Sequence, residues 1–469
     1  RSVSDRPYYS GVIEGFYGRP WRHEQRLALL PRLAAWGFAA YIYAPKDDIK
    51  LRAAWRERYD ATEVTQLTEL ARACRAQGLR FGYAIAPGLD VRYAEEAELE
   101  RLRAKVDQVL DLGADDVVLL FDDIPHALDA LSRERFGSVA AAQAHLAEGL
   151  FAHLRARAPA GRRIVCPTDY CRRMADASGD GWAYLHALGE RLGPDVDVFW
   201  TGDEIVSERI DAASLADVSA ALRRPPLIWD NLHANDYDLR RLYLGPLAGR
   251  SADLRTASAG FVTNPNTPFE VNEVAFATLA AYLHDPVGYQ PAAAWRDALR
   301  DWHGGFTLND GNLLATELLE LLAELCYLPW SSGPLVEAHL GDARALLAAA
   351  PDPFDARLAR LRHFADEVER LLLHLTELRD RDLLYALYNV VWEARTESRA
   401  LADYLELRAR SLQGARFGRP DHLPNTYRRG FTADVQALLP LDDDGAVVPH
   451  TRGTNPAGGP AEGLTGGPG

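Results

Sequence analysis

The chain has 469 residues, 48% hydrophobic and 25% charged, enough for two or more globular domains with substantial cores. Its net charge of −15 speaks against nucleic acid as a partner, because a phosphate-gripping surface needs clustered Lys and Arg and no basic block interrupts the acidic balance. No run of about 18 apolar residues is available to span a membrane, and the start RSVSDRPYYSG lacks the apolar core of a signal peptide; the compartment, cytoplasmic or secreted after loss of a signal peptide, stays open.

Eight short apolar runs closed by polar residues follow in chain order: GVIEGF from 11, AAYIYAP from 39, LRFGYAIAP from 79, VVLLFDDI from 117, RIVCPTDY from 163, VDVFWTG from 196, PLIWDNLHAN from 226 and GFVTNPN from 260. Between them lie stretches such as HEQRLALLPRLAAWG and AEEAELERLRAKVDQVLDLG, where apolar residues return every three or four positions. Alternating strand and helix predicts parallel strands joined by crossovers, and eight such units predict a (β/α)8 barrel over residues 1–285. An open doubly wound sheet is the alternative, but EGFYGRPW lacks the G-x-G-x-x-G spacing and no P-loop occurs.

Beyond residue 285 the segments NLLATELLELLAELCYL, LVEAHLGDARALLAAA, ARLARLRHFADEVERLLLHL and RDLLYALYNVVWEARTESRALADYLELRAR are long and amphipathic, predicting an all-α bundle over 286–440. From 441 to 469 the Gly- and Pro-rich tail holds too little apolar surface to fold and reads as flexible. Cys74, Cys166, Cys171 and Cys326 are too few and too scattered for a disulfide scaffold, and CPTDYC lacks zinc-site spacing, so free thiols are expected.

In a barrel, the residues at the strand C-termini converge. Here they are Glu14 and Tyr17; Lys46, Asp47 and Asp48; Asp122 and Asp123; Thr168, Asp169 and Tyr170; Thr201 and Asp203; Asp230, Asn231, Asn235 and Asp236; Asn264 and Asn266. Only three of the 52 basic residues are lysines, Lys46, Lys50 and Lys105, which points to a GC-rich, bacterial coding bias toward Arg. The adjacent pair Asp122 and Asp123 is the sharpest signal. Burying either costs on the order of several kcal/mol unless it is paired or protonated, although a solvated turn is the simplest reading of the pair alone. Neighbouring side chains on a strand face opposite ways, so a shared pocket requires the strand to end at about Asp122, with Asp123 in the loop and Pro125 stopping the pairing.

The ordered combination GVIEGFYGRPW, YIYAPKDDIK, LLFDDI, CPTDYC, WTG, WDNLHANDYD and TNPN resembles glycoside hydrolase family 84, the family of the O-GlcNAcases and of bacterial β-N-acetylglucosaminidases or hyaluronidases. The likeness is strong from residue 8 to about 290, and in the helical region it is one of position only. It implies a (β/α)8 catalytic domain followed by a helical domain, with neither cofactor nor metal. It also implies retaining exo-hydrolysis in which the substrate's own acetamido oxygen attacks the anomeric carbon to give an oxazoline. By the same resemblance Asp122 orients the acetamido group, Asp123 protonates the leaving oxygen and then activates water, and Tyr170 steadies the oxazoline. Asn231 helps hold Asp122, Trp229 walls the methyl group, and Asp236, Asn264, Lys46 and the Gly15 backbone bind sugar hydroxyls.

Core and turn readings stay open for Trp229 and Asn264, and Glu14 reads as structural. CPTDYC carries Asp169 where animal members have Glu, and Ile205 falls where the methyl pocket varies. The implied partner is a glycopeptide or glycan bearing N-acetylglucosamine; nucleic acid and membrane are not expected, and a homodimer is left open. Three alternatives stand beside this reading: a hyaluronidase-like or other glycan-directed β-N-acetylhexosaminidase, a metal-dependent hydrolase using Asp47, Asp122 and Asp236, and a non-catalytic glycan- or peptide-binding module.

Overall fold

Each of the eight apolar runs forms a strand in the computed structural model, which describes residues 6–410, 416–425 and 428–450. The strands are β1 (Tyr9–Glu14), β2 (Ala40–Tyr43), β3 (Arg80–Ile85), β4 (Asp116–Leu120), β5 (Arg163–Cys166), β6 (Val196–Trp200), β7 (Leu227–Asp230) and β8 (Gly260–Thr263). They pair in parallel and in sequence order, and Tyr9 of β1 set against Gly260 of β8 closes the barrel. Side chains on both strand faces are buried, inward against the barrel interior and outward against the helices, which is why the runs read as nearly continuous apolar stretches.

Local signals set the crossovers. Asp60 caps the helix Ala61–Ala76 by accepting from the Thr62 and Glu63 N–H groups, and Gly113, at φ 109°, ends the helix Glu96–Leu112 in the left-handed conformation that glycine adopts freely. At the N-terminal face of the barrel, Asp116 collects Tyr9 Oη at 2.9 Å, Arg80 Nε at 2.8 Å and the Arg162 N–H at 2.6 Å.

Two compact units divide the chain, one containing Leu239 and everything before it plus Pro246–Ala298, the other Arg240–Gly245 plus Leu299 onward. The first unit runs on to Ala298, past the expected junction at 285, and the division falls inside the helix Pro291–Trp302. The short segment joins the helical unit through its buried Leu242, Tyr243 and Leu244 and a hydrogen bond from the Gly245 N–H to the Tyr327 carbonyl, 2.7 Å. The helical unit contains Thr316–Leu325, Pro334–Ala348, Ala356–Leu375, Arg381–Ala409 and Phe431–Leu438. Part of the expected tail is structured: Leu441 pairs with Val447 and Gly418 with Ala446, burying Ala446 and Val447, while 451–469 lie outside the described residues. Among the described residues no helix is long and apolar enough to cross a membrane.

Candidate active site

A cavity of about 300 Å³ opens at the C-terminal mouth of the barrel, near the small end of the range for ligand sites. All the site residues expected from sequence line it: Gly15, Lys46, Asp122, Asp123, Tyr170, Trp229, Asn231, Asp236 and Asn264. They arrive from the ends of β1, β2, β4, β5, β7 and β8.

Strand β4 stops at Leu120, two residues earlier than expected, and the carboxylates follow it. Asp123 has φ 54°, the left-handed region that Asp tolerates better than most residues. The backbone turn breaks the strand alternation, so both side chains reach one cavity. Their settings differ, since Asp122 is buried and Asp123 is exposed at the rim.

Lys46 Nζ, itself buried, donates to Asp122 Oδ2. Asp122 Oδ1 is buried and has no hydrogen-bond partner among the described residues. Asp123 accepts twice, from Tyr17 Oη on Oδ2 at 2.9 Å and from Tyr170 Oη on Oδ1 at 2.8 Å. Burial, with the neighbouring Asp123 charge, pushes both phenols well above the ordinary tyrosine range, so they stay protonated donors. Burial followed by the Asp122 charge likewise raises the Cys166 thiol, which removes it as a nucleophile.

Across the cavity Asn231 is fixed by three bonds. Its Oδ1 accepts from Trp229 Nε1 at 2.9 Å and Asn264 Nδ2 at 3.0 Å, and its Nδ2 donates to the Ile205 carbonyl at 2.9 Å. Asn231 therefore does not hold Asp122 as expected; the short reach from Lys46 does. Trp229 is a cavity wall packed edge-on against Phe199, and a Cβ on Gly15 would lie 2.5 Å from its ring, so only glycine fits there. Asn264 Oδ1 accepts the Gly15 N–H at 3.2 Å.

Asp236 Oδ2 accepts the Tyr17 N–H at 2.9 Å. Burial pushes its carboxyl above the ordinary value, the Tyr17 N–H draws it back, and the Asp123 charge adds to the rise. Asp47, the third ligand of the metal-hydrolase alternative, does not line this cavity: it accepts the Gly18 N–H at 2.7 Å and borders a neighbouring depression. Glu14 is structural as read, gripped by Arg26, the Trp21 N–H and Tyr41.

Tyr17 is the main residue missing from the expected site. It was visible as a polar residue past β1, but nothing local distinguishes it from an exposed turn tyrosine. Thr201, Ile205, Val206, Ala234 and Tyr237 complete the lining on the side of Trp229 and Asn231.

A closed (β/α)8 barrel whose mouth carries a buried and an exposed carboxylate side by side defines the class, a barrel of the glycoside-hydrolase kind. The family described as beta-N-acetylglucosaminidase matches residues 10–316, and the chain belongs to it. Over 277 residues, 59% of the chain, it is 44% identical to the protein O-GlcNAcases of Rattus norvegicus and Mus musculus, of whose length it spans 30%. A mutant O-GlcNAc hydrolase of Thermobaculum terrenum has a similar structure, with a TM-score of 0.71 and 29% identity over 85% of this chain and 83% of that one.

Proposed function

We propose that the chain is a retaining exo-β-N-acetylglucosaminidase that works through an oxazoline and removes O-GlcNAc from serine or threonine of glycopeptides. The observation that carries this reading is Asp122. One of its oxygens is neutralised by Lys46, and the other is buried, unpartnered among the described residues, and borders a cavity sized for one sugar ring. A buried acceptor left open at a cavity suits an N–H that arrives with the ligand.

The acetamido N–H donates to Asp122 Oδ1, which turns the carbonyl oxygen toward the anomeric carbon and offsets the positive charge that develops as it attacks. Trp229, Ile205 and Val206 enclose the methyl group. Asp123 gives its proton to the leaving oxygen as the glycosidic bond breaks. It then takes a proton from the water that opens the oxazoline and restores the β-configuration. Tyr170 turns its single O–H from Asp123 to the oxazoline oxygen, and Tyr17 keeps the Asp123 carboxyl oriented. Asp236, Asn264, Lys46 and the Gly15 backbone bind ring hydroxyls, each of which would cost about 1–3 kcal/mol if left unpaired.

The test is the leaving-group dependence of Asp123→Ala. Its kcat/KM should fall about 10²–10⁴-fold on an O-GlcNAc-serine peptide and far less on a dinitrophenyl glycoside, whose phenolate leaves without a proton. Equal losses on both would remove Asp123 from the role of acid.

A further inference from the structure

Asp123 has a left-handed backbone, and something must hold it there against the preference of an L side chain. The only side chain that bonds its carbonyl among the described hydrogen bonds is Arg52, whose Nη2 donates to the Asp123 oxygen at 3.2 Å. The same guanidinium lies 5.6 Å from the centre of the Tyr17 ring, and the Tyr17 hydroxyl is the group that donates to Asp123 Oδ2 at 2.9 Å. One cation thus touches both the backbone of Asp123 and the ring that orients its carboxyl.

Arg52 is itself well anchored. It belongs to the turn after β2, between Leu51 and Trp55, both fully buried. The Leu51 carbonyl accepts the Ala86 N–H at 3.0 Å, and Trp55 Nε1 donates to Asp90 Oδ1 at 2.9 Å. Arg52 Nη1 is buried with no hydrogen-bond partner among the described residues.

We propose that Arg52 is the positioning residue of the acid–base step, resting on the reading of Asp123 as the acid. It pins the left-handed turn through the carbonyl and holds the Tyr17 ring by cation–π contact, so the Asp123 carboxyl is aimed before substrate arrives. It touches neither the sugar nor the leaving group and does not line the cavity. Lysine would keep the charge and an N–H donor group but lacks the flat face that covers Tyr17 and the fork that reaches past it.

The experiment uses the full chain with Arg52→Ala and Arg52→Lys, each checked for an unchanged melting profile. Arg52→Ala should lower kcat/KM about 10–100-fold on an O-GlcNAc-serine peptide and only a few-fold on a dinitrophenyl glycoside. Its affinity for an oxazoline-mimicking inhibitor, which engages the Asp122 side, should stay within about twofold. Arg52→Lys should recover part of the peptide rate and so narrow, without closing, the gap between the two leaving groups. Equal losses on both substrates, or none, overturn the proposal, because a merely structural role would not sort substrates by leaving group.

A crystal structure of Arg52→Ala keeps the two readings separable. Asp123 released from φ near 54°, or Tyr17 swung away, supports the positioning role whatever the chemistry. Asp123 unmoved with both tyrosine bonds intact overturns it. The Asp123→Ala leaving-group comparison in wild-type background judges the acid assignment alone.

Discussion

Asp116 opens β4 and Asp122 follows its last residue by two, so one strand carries a buried carboxylate toward each face of the barrel. At the N-terminal face Asp116 is saturated by Tyr9, Arg80 and the Arg162 N–H. At the C-terminal face Asp122 has Lys46 on one oxygen and nothing among the described residues on the other. Both were buried at a cost in desolvation. At Asp116 hydrogen bonds within the fold offset it, while at Asp122 the offset is incomplete until a ligand supplies a donor. The same contrast separates Asp122 from Glu14, which shares its face of the barrel but is fully engaged by Arg26, Trp21 and Tyr41. An open polar atom alone is no mark of function, since among the described residues Asp197 Oδ1 and His339 Nε2 are also buried without partners; Asp122 differs from both in lining the cavity at the barrel mouth.

The largest expected effect tests the structural end. Asp116→Ala strands the Arg80 charge and two further donors, and should cost about 3–5 kcal/mol in denaturant unfolding while leaving kcat/KM of the folded fraction unchanged. At the other end Asp122→Asn should lower kcat/KM about 10²–10³-fold on every leaving group with a smaller stability loss than at Asp116. Reversed outcomes at the two positions would break the comparison.

The third and smallest effect asks whether an open buried group without a cavity touches stability alone. His339 stacks on Phe364 at 3.8 Å in the helical unit, and burial pushes its imidazole down to about 4. In the unfolded chain the value is about 6.5, so between the two the unfolded state takes up a proton that the folded state refuses. Stability is therefore full above about pH 6.5 and falls by at most about 3 kcal/mol as pH drops toward 4. His339→Phe should flatten that profile in pH-dependent unfolding, and an unaltered slope would show that other groups carry it.

Much of this was legible in the sequence, because every strand is an apolar run closed by polar residues and burial on both faces leaves that trace. Seven of the cavity's nine expected residues stand among the polar strand-end residues, while Gly15, Trp229 and the choice of the nine came from the resemblance to glycoside hydrolase family 84. What escaped depends on contacts between distant residues. The end of β4 at Leu120 follows from the left-handed turn at Asp123, which an Asp permits but does not announce. Lys46, 76 positions before Asp122, took the contact expected of Asn231, and Asn231 went instead to Trp229 and Asn264. Tyr17 and Arg52 reach Asp123 from 106 and 71 positions away. The Arg240–Gly245 segment reads as an ordinary loop, and its membership of the helical unit rests on pairing with residues near Tyr327.

The most direct test of the central claim, that the substrate's acetamido oxygen and not a protein carboxylate attacks the anomeric carbon, is kcat/KM across aryl glycosides carrying zero to three fluorines on the acetamido methyl. Each fluorine weakens the carbonyl oxygen as a nucleophile, so a steep, monotonic fall with retained β-configuration in the product is expected. A flat series, or a covalent glycosyl ester trapped on Asp122 or Asp123, would contradict the account.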